Sequence, residues 1–273
     1  KDYTLEESVE KFSVSEEQLM TLKAYCDEIG IDFATTPFSE REVDFLCNVL
    51  KPPFIKIASM DLNNYPFLDY VARKQLPIVI STGLSELYEI DEAIRVIEAT
   101  GNRQIIILHC VSIYPTPESD VNLKRIETLR NLYHYPVGFS DHSLGISIPL
   151  ASIAMGACIV EKHMTLDREM FGWDHKISAL PDEMASICRE GKRIWQAVGD
   201  GRIHRVESEE RLEAFRRSIV STRLIKKGEI ISTDDIDFKR PGNGFKPGLA
   251  KFIIGRTAKR DIPVDKVLDN DDF

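Results

Sequence analysis

The chain has 273 residues, 43% of them hydrophobic and 29% charged, which is the balance of a globular protein with room for one large α/β domain and a small appendage. Its formal net charge of −9 argues against a nucleic-acid or anionic-membrane surface, and no apolar run approaches the roughly 20 residues that span a bilayer. Five cysteines (Cys26, Cys47, Cys110, Cys158 and Cys188) are widely spread with no C-x-x-C spacing; they read as reduced, buried thiols rather than a disulfide framework.

The opening KDYTLEESVEKF is acidic and amphipathic rather than signal-like, and it is the reduced thiols that make the cytoplasm the expected setting. The helix expected at Ser15–Gly30 opens on the capping box SEEQ and stops at a glycine. Apolar strand runs are then expected at Ile31–Thr35, Phe54–Ala58, Pro77–Ser81, Gln104–Cys110, Val137–Phe139 and Ala157–Glu161. Between them lie helix-period stretches; in SELYEIDEAIRVIEATG, Leu87, Ile90, Ala93, Ile94 and Ile97 share a face. Strands alternating with helices imply parallel pairing and right-handed crossovers. Residues 201–217 are strongly charged and read as a linker or exposed helix; from 218 to 273 short β-like runs (SIVSTRLI, EIIS, IDFKR, FIIGRTA) between KKG, TDD and PGNG turns read as a small β-rich domain. A closed parallel barrel needs eight strands. Residues 1–200 are therefore expected to form a (β/α)8 barrel lacking its first two strands in this chain, the alternative being an open α/β sheet.

In barrels the chemistry collects at the C-terminal ends of the strands. Those ends read TTPFS, KIASMD, STGLSE, HCVSIYPTP, GFSDHSLG and EKHMTLD. His142 and His163 end successive strands, about 5 Å apart in a sheet, so both imidazoles can reach one divalent ion such as Mn²⁺, Zn²⁺, Fe²⁺ or Co²⁺; core or surface placement is the alternative. Lys56, set in the apolar run FIKIAS, needs a purpose because an unpaired buried ammonium is costly. It can bind phosphate or carboxylate, form a Schiff base as in an aldolase, or pair with Asp61 or Glu161. Ser59, Ser81, Thr82 and Ser140 sit at a similar depth and can donate hydroxyls. Asp141 and Glu161 stand beside the histidines, either orienting them, acting as a base, or serving in ion pairs. Asp174, His175 and Lys176 form a further polar cluster. His109 divides between core and pocket, and His134 and His204 read as surface residues. In KRPGNGF, Gly242 and Gly244 permit a tight turn, and Arg240 offers a bidentate grip on a carboxylate or amide oxygen or is simply solvated.

Taken in order, KIAS, STGLSE, HC-x-x-x-YPTP, GFSDHSLG, EKHMTLD and the tail strings RRSIV, KKGE and KRPGNG resemble the N-acetylneuraminate (sialic acid) synthase family with its C-terminal antifreeze-like (SAF) domain. The resemblance implies a (β/α)8 barrel that condenses phosphoenolpyruvate with open-chain N-acetylmannosamine or a related N-acylated sugar, using a divalent metal, typically Mn²⁺, and releasing phosphate. It implies that His142 and His163 are metal ligands and that Thr36, Lys56, Ser59, Ser81 and Ser140 bind phosphoenolpyruvate. Tyr114, Asp174 and Arg240 fall at sugar-binding positions, while Glu161 and Asp61 face the reacting centre. It also implies a domain-swapped homodimer. Two departures stand out: the AEIG-like and KFQ-like motifs of the family's first strands are missing, and Ser112 occupies a position that is often asparagine. The nearest alternatives are a legionaminate or pseudaminate synthase of the same chemistry, or a Schiff-base aldolase on Lys56.

Overall fold

A computed structural model describes Thr4, Glu7, residues 11–172 and residues 174–273; the opening segment read as acidic and amphipathic lies largely outside these. The chain divides into two compact units, Lys1–Asp200 and Gly201–Phe273.

The first helix, α1 (Glu16–Ile29), is capped as its sequence dictates. The Ser15 side chain accepts from Gln18 N, Gln18 reaches back to Ser15 N, and Gly30 closes the helix at φ 74°. The run 31–35 does not become a strand: it has no ladder partner among the described residues. Five strands follow, β1 (Ile55–Ile57), β2 (Ile78–Ser81), β3 (Ile105–Cys110), β4 (Val137–Asp141) and β5 (Val160–Lys162). They pair in parallel in the order 1-2-3-4-5. Before them runs α2 (Glu40–Phe45), and between and after them run α3 (Tyr65–Ala72), α4 (Leu87–Ala99), α5 (Glu118–Val121), α6 (Lys124–Tyr133), α7 (Ser147–Ala154) and α8 (Pro181–Val198). Beyond β5, Met164 and Ala179 make an isolated parallel bridge, with Thr165 N donating to Ala179 O at 3.0 Å and Ala179 N to His163 O at 2.8 Å. This short extension of the sheet was not anticipated from sequence.

Period-2 alternation sorts the strand residues onto two faces. Ile55, Ile57, Ile78, Ile80, Ile105, Ile107, Val137 and Phe139 cluster with Leu68, Val71, Ile94, Ile97, Ile126 and Leu129 of the helices. Full burial of each such aliphatic side chain is worth about 1.5–3 kcal/mol, so this helix-covered face holds the unit together. The opposite face carries the alternate residues: Lys56, Val79, Ser81, Leu108, Cys110, Ser140, Glu161 and, continuing past the strand ends, His142 and His163.

The sheet is curled rather than flat. Four strand spacings separate β1 from β5, about 19 Å in a flat sheet, yet Lys56 Nζ lies 3.6 Å from Glu161 Oε2. The architecture is thus a parallel half-barrel with its polar row on the concave side. Close approach inside that curve excludes side chains at Gly138, where a Cβ would stand 2.6 Å from Leu108 Cδ2 and 2.7 Å from the Ile159 carbonyl oxygen.

The second unit contains α9 (Glu209–Phe215), an antiparallel pair β6 (Ser218–Ser221) and β7 (Ile236–Lys239), and a helical turn α10 (Ala250–Ile253). Two expected strands are smaller than read: EIIS contributes only the bridge Ile230–Thr257, and the start of FIIGRTA is helical. Ile219, Ile225, Ile231, Ile236, Ile253, Ile262 and Leu268 form its core. A core this small is supplemented by a buried carboxylate, Asp272, which accepts from Lys266 Nζ at 2.5 and 2.6 Å and from Arg260 Nε at 2.8 Å. Gly242 and Gly244 serve close packing rather than turn dihedrals: added Cβ atoms would meet Arg216 Cβ at 2.7 Å and Val267 Cγ1 at 2.2 Å.

The five cysteines are free thiols, but only Cys110 is buried; Cys26 and Cys47 are half-buried and Cys158 and Cys188 exposed, contrary to the expectation of buried sulfurs. Among the described residues no helix is long and apolar enough to cross a membrane.

Candidate active site

Three groups of side chains meet on the concave face. The first is ionic. Lys56 keeps only 12% of its side chain exposed, donates to Ile57 O at 3.1 Å and faces Glu161; Ser140 Oγ donates to Glu161 Oε1 at 2.6 Å. The pairing of Lys56 with Glu161, foreseen as its structural alternative, therefore exists, and it places the ammonium in the same row as the candidate hydroxyls. Ser81 Oγ is buried with no hydrogen-bond partner, as is Asp61 Oδ2 on the turn after β1. Buried polar atoms are rarely left unpaired, so two orphaned oxygens at strand ends mark positions that a ligand would satisfy. Ser59 Oγ accepts from Gly83 N at 3.1 Å, which leaves its hydroxyl proton available.

The second group is aromatic. The rings of His142 and His163 lie 5.3 Å apart, and Tyr114 stands 4.2 Å from His142 and 6.1 Å from His163. His142 is buried, and its Nδ1 lies 3.1 Å from Val111 O. A carbonyl can only accept, so Nδ1 carries the proton and Nε2 presents its lone pair. Burial, above all, holds the His142 imidazole below its ordinary pKa, and neighbouring His163 acts in the same direction. A neutral ring with a fixed tautomer is what a metal-ligating histidine requires. Among the described residues no third His, Cys, Asp or Glu joins the pair. The two imidazoles fit a divalent ion that keeps open positions for oxygen ligands. Burial pushes the Tyr114 phenol up, helped by nearby Cys110, Asp174 and Glu161, so it stays a donor at neutral pH.

The third group lines a cleft of about 270 Å³ beside His163, with Phe12, Met164, Phe171, Gly172, Asp174, His175 and Ser178.

Other candidates fall elsewhere. Asp141 and Lys162 adjoin the two histidines in sequence but point to the opposite face, where they form a buried ion pair of 2.6 Å. Asp141 also accepts from Ser143 N and Oγ, and Lys162 donates to Ser143 O; this pair pins the strand ends and does not touch the imidazoles. His109 joins the helix-covered face, against Phe139 and 2.6 Å from Val121 O, where burial lowers its pKa. Thr82 Oγ1 is committed to Leu108 O. Thr36 is half-buried in the segment before α2, with no bond to the groups above among the described residues. Arg240 is an exposed residue of the second unit, as is His204, and His134 is exposed at the end of α6. Sequence reasoning passed over Cys110, whose Sγ lies 4.0 Å from His142 Nδ1, and the Val111 carbonyl. Two-residue periodicity from Leu108 would have placed Cys110 on the concave face.

A parallel half-barrel whose strand ends converge a lysine, hydroxyls, carboxylates and two imidazoles has the layout of a barrel active site, and a small β-rich unit follows it in the chain. The NeuB family model matches residues 1–203 and the SAF domain model residues 216–273, and the chain belongs to the NeuB family. It is 45% identical over 272 residues to an uncharacterized protein of Methanocaldococcus jannaschii, covering 99% of this chain and 80% of the relative. It is 37% identical to an N,N'-diacetyllegionaminic acid synthase of Campylobacter jejuni, covering 95% and 78%. Among solved structures it resembles the N-acetylneuraminic acid (sialic acid) synthetase of Leptospira borgpetersenii in complex with citrate, with TM-score 0.69, 35% identity and 75% of each chain covered.

Proposed function

We propose that the chain condenses phosphoenolpyruvate with the open-chain form of an N-acylated amino sugar, forming a carbon–carbon bond and releasing phosphate. The observation that carries this reading is the contact of Lys56 with Glu161 across the curled sheet, beside the unpartnered Ser81 hydroxyl. A cation and free hydroxyls at strand ends suit a phosphate, and the names borne by the relatives supply the sugar class.

In this reading Lys56, Ser81, Ser140 and Ser59 hold the phosphate and carboxylate, fixing C3 of the enol toward the aldehyde. His142 and His163 would hold a divalent cation, Mn²⁺ by family resemblance, which when bound supplies Lewis-acid polarisation of the aldehyde. The π pair of the enol C2–C3 bond forms the new bond from C3 to the aldehyde carbon, the aldehyde C=O π pair moves onto its oxygen, which takes up the proton that the water gives up, and the water oxygen bonds to C2. Glu161, freed from Lys56 as the phosphate arrives, takes a proton from that water. Collapse of the resulting tetrahedral centre breaks the bond from C2 to the phosphate oxygen, the C2 hydroxyl becomes the ketone, and its proton leaves with the phosphate. Tyr114 and Asp174 orient the sugar; Asp61 stands ready as the second carboxylate, and Thr36 as a further hydroxyl for the phosphoenolpyruvate. Arg240 contributes from the SAF module of a partner copy in a domain-swapped homodimer, and the setting is cytoplasmic. The acceptor sugar is N-acetylmannosamine or a diacetamido relative of the legionaminate or pseudaminate type.

Phosphate release tests the reading, measured with phosphoenolpyruvate, Mn²⁺ and a panel of N-acyl hexosamines. Turnover that needs both substrates and stops with chelator is expected. Sugar-dependent borohydride trapping on Lys56, with chelator-insensitive turnover, would replace it with a Schiff-base aldolase.

A further inference from the structure

Residues 111–116 lead from β3 toward α5 over the surface, with Ile113 and Tyr114 keeping 48% and 49% of their area exposed. A loop this open has few apolar contacts to fix it. Yet it supplies two groups of the site: the Val111 carbonyl at His142 Nδ1, and the Tyr114 ring, 4.2 Å from the His142 ring. Hydrogen bonds have to do the fixing.

Thr116 makes them. It is only 5% exposed, although Ile113, Tyr114 and Pro115 before it are open to solvent. Its N–H donates to the His142 carbonyl at 3.0 Å. Its hydroxyl donates to Ile113 O at 2.7 Å, a bond that brackets Tyr114, and Val111 O is within reach at 3.3 Å. Val111 O in turn accepts from His142 Nδ1 at 3.1 Å. One loop thus clasps His142 twice, at the main chain through Thr116 and at the ring through Val111. The Thr116 hydroxyl closes the loop between the two grips. A valine has the same shape, so packing alone does not call for a threonine here. A buried hydroxyl is costly unless it is bonded, and the bonds of this one serve the loop.

We infer that Thr116 is a positioning residue: by closing the loop it fixes the tautomer and ring orientation of His142 and the place of Tyr114, without touching substrate. Its kinetic consequence rests on the condensation reading, whereas the state of the His142 ring does not.

The test compares wild type with Thr116→Val, which keeps the shape and the N–H but loses the hydroxyl, and with Thr116→Ser, which restores the hydroxyl. Nitrogen–proton NMR correlation of the metal-free protein reads the imidazole tautomers, with His142→Ala assigning the signal. Electron paramagnetic resonance of free Mn²⁺ reads metal affinity, and phosphate release gives kcat and KM. In Thr116→Val the His142 signal is expected to change from one tautomer, protonated at Nδ1, to a mixture. Mn²⁺ affinity and kcat should each fall about 10- to 100-fold, as when the partner orienting a metal-ligating histidine is lost. The KM for phosphoenolpyruvate should not change, because Lys56 and the strand-end hydroxyls are untouched. Thr116→Ser should recover most of each loss. A Thr116→Val protein with the wild-type tautomer and Mn²⁺ affinity would overturn the assignment. So would losses that Thr116→Ser fails to recover, or that accompany a melting-temperature fall shared by both variants. If wild type releases no phosphate with any N-acyl hexosamine, the condensation reading fails, while the ring spectrum still decides for or against Thr116.

Discussion

The two faces of β4 and β5 make opposite use of neighbouring residues. On the helix-covered face Asp141 and Lys162, with 1% and 2% of their side chains exposed, satisfy each other and Ser143. One residue further along each strand, on the concave face, His142 and His163 confront each other with no third ligating residue among those described. Beside them Glu161 keeps 43% of its side chain exposed against Lys56. The charges on one face are fully paired; those on the other are held near one another with capacity to spare. The difference teaches that buried charge in this chain serves structure, and that chemistry belongs where pairing is incomplete.

The largest effect expected from this contrast is catalytic. His142→Ala and His163→Ala should each reduce phosphate release at least about 100-fold while changing the melting temperature by only a few degrees. Full activity of either variant in metal-free buffer would remove the imidazole pair from the site. The opposite face should respond with stability instead. Asp141→Ala leaves the Lys162 ammonium buried alone, a loss of about 3–5 kcal/mol, read as a fall of roughly 10 °C in melting temperature. The joint replacement Asp141→Leu with Lys162→Met should recover much of that loss, and a double variant as unstable as the single would mean that the pair is more than a structural pin.

A smaller effect is expected at Gly138, on the concave side. Gly138→Ala pushes a methyl toward a backbone carbonyl that cannot turn aside, for about 1–3 kcal/mol by chemical denaturation. The smallest is a pH slope from His109 on the helix-covered face. Its folded pKa is depressed by burial, so below about pH 6.5 the unfolded chain binds the proton first. The stability present above that pH is lost as pH falls toward the folded value, and His109→Gln should flatten that part of the profile. An unchanged slope would mean that other groups set it.

Much of this was legible in the sequence. The βα alternation, the capping of α1, the apolar stripe of α4 and the strand-end positions of Lys56, Ser81, Ser140, Glu161, His142 and His163 follow from periodicity and punctuation. The run 31–35 misled because apolar composition marks a segment that can be a strand, whereas a strand also needs a partner. Met164 and Ala179 were missed for the converse reason: a single bridge leaves no pattern. Asp141 and Lys162 sit beside the histidines in sequence, but alternation sends adjacent residues to opposite faces.

The central claim is that the concave row is the phosphate-binding and reacting face. Its most direct test is phosphate release by Lys56→Met, measured with phosphoenolpyruvate, an N-acyl mannosamine and Mn²⁺ beside wild type, at a temperature where both are folded. The account predicts sugar-dependent release from wild type and background release from the variant. Release undiminished in Lys56→Met would contradict it.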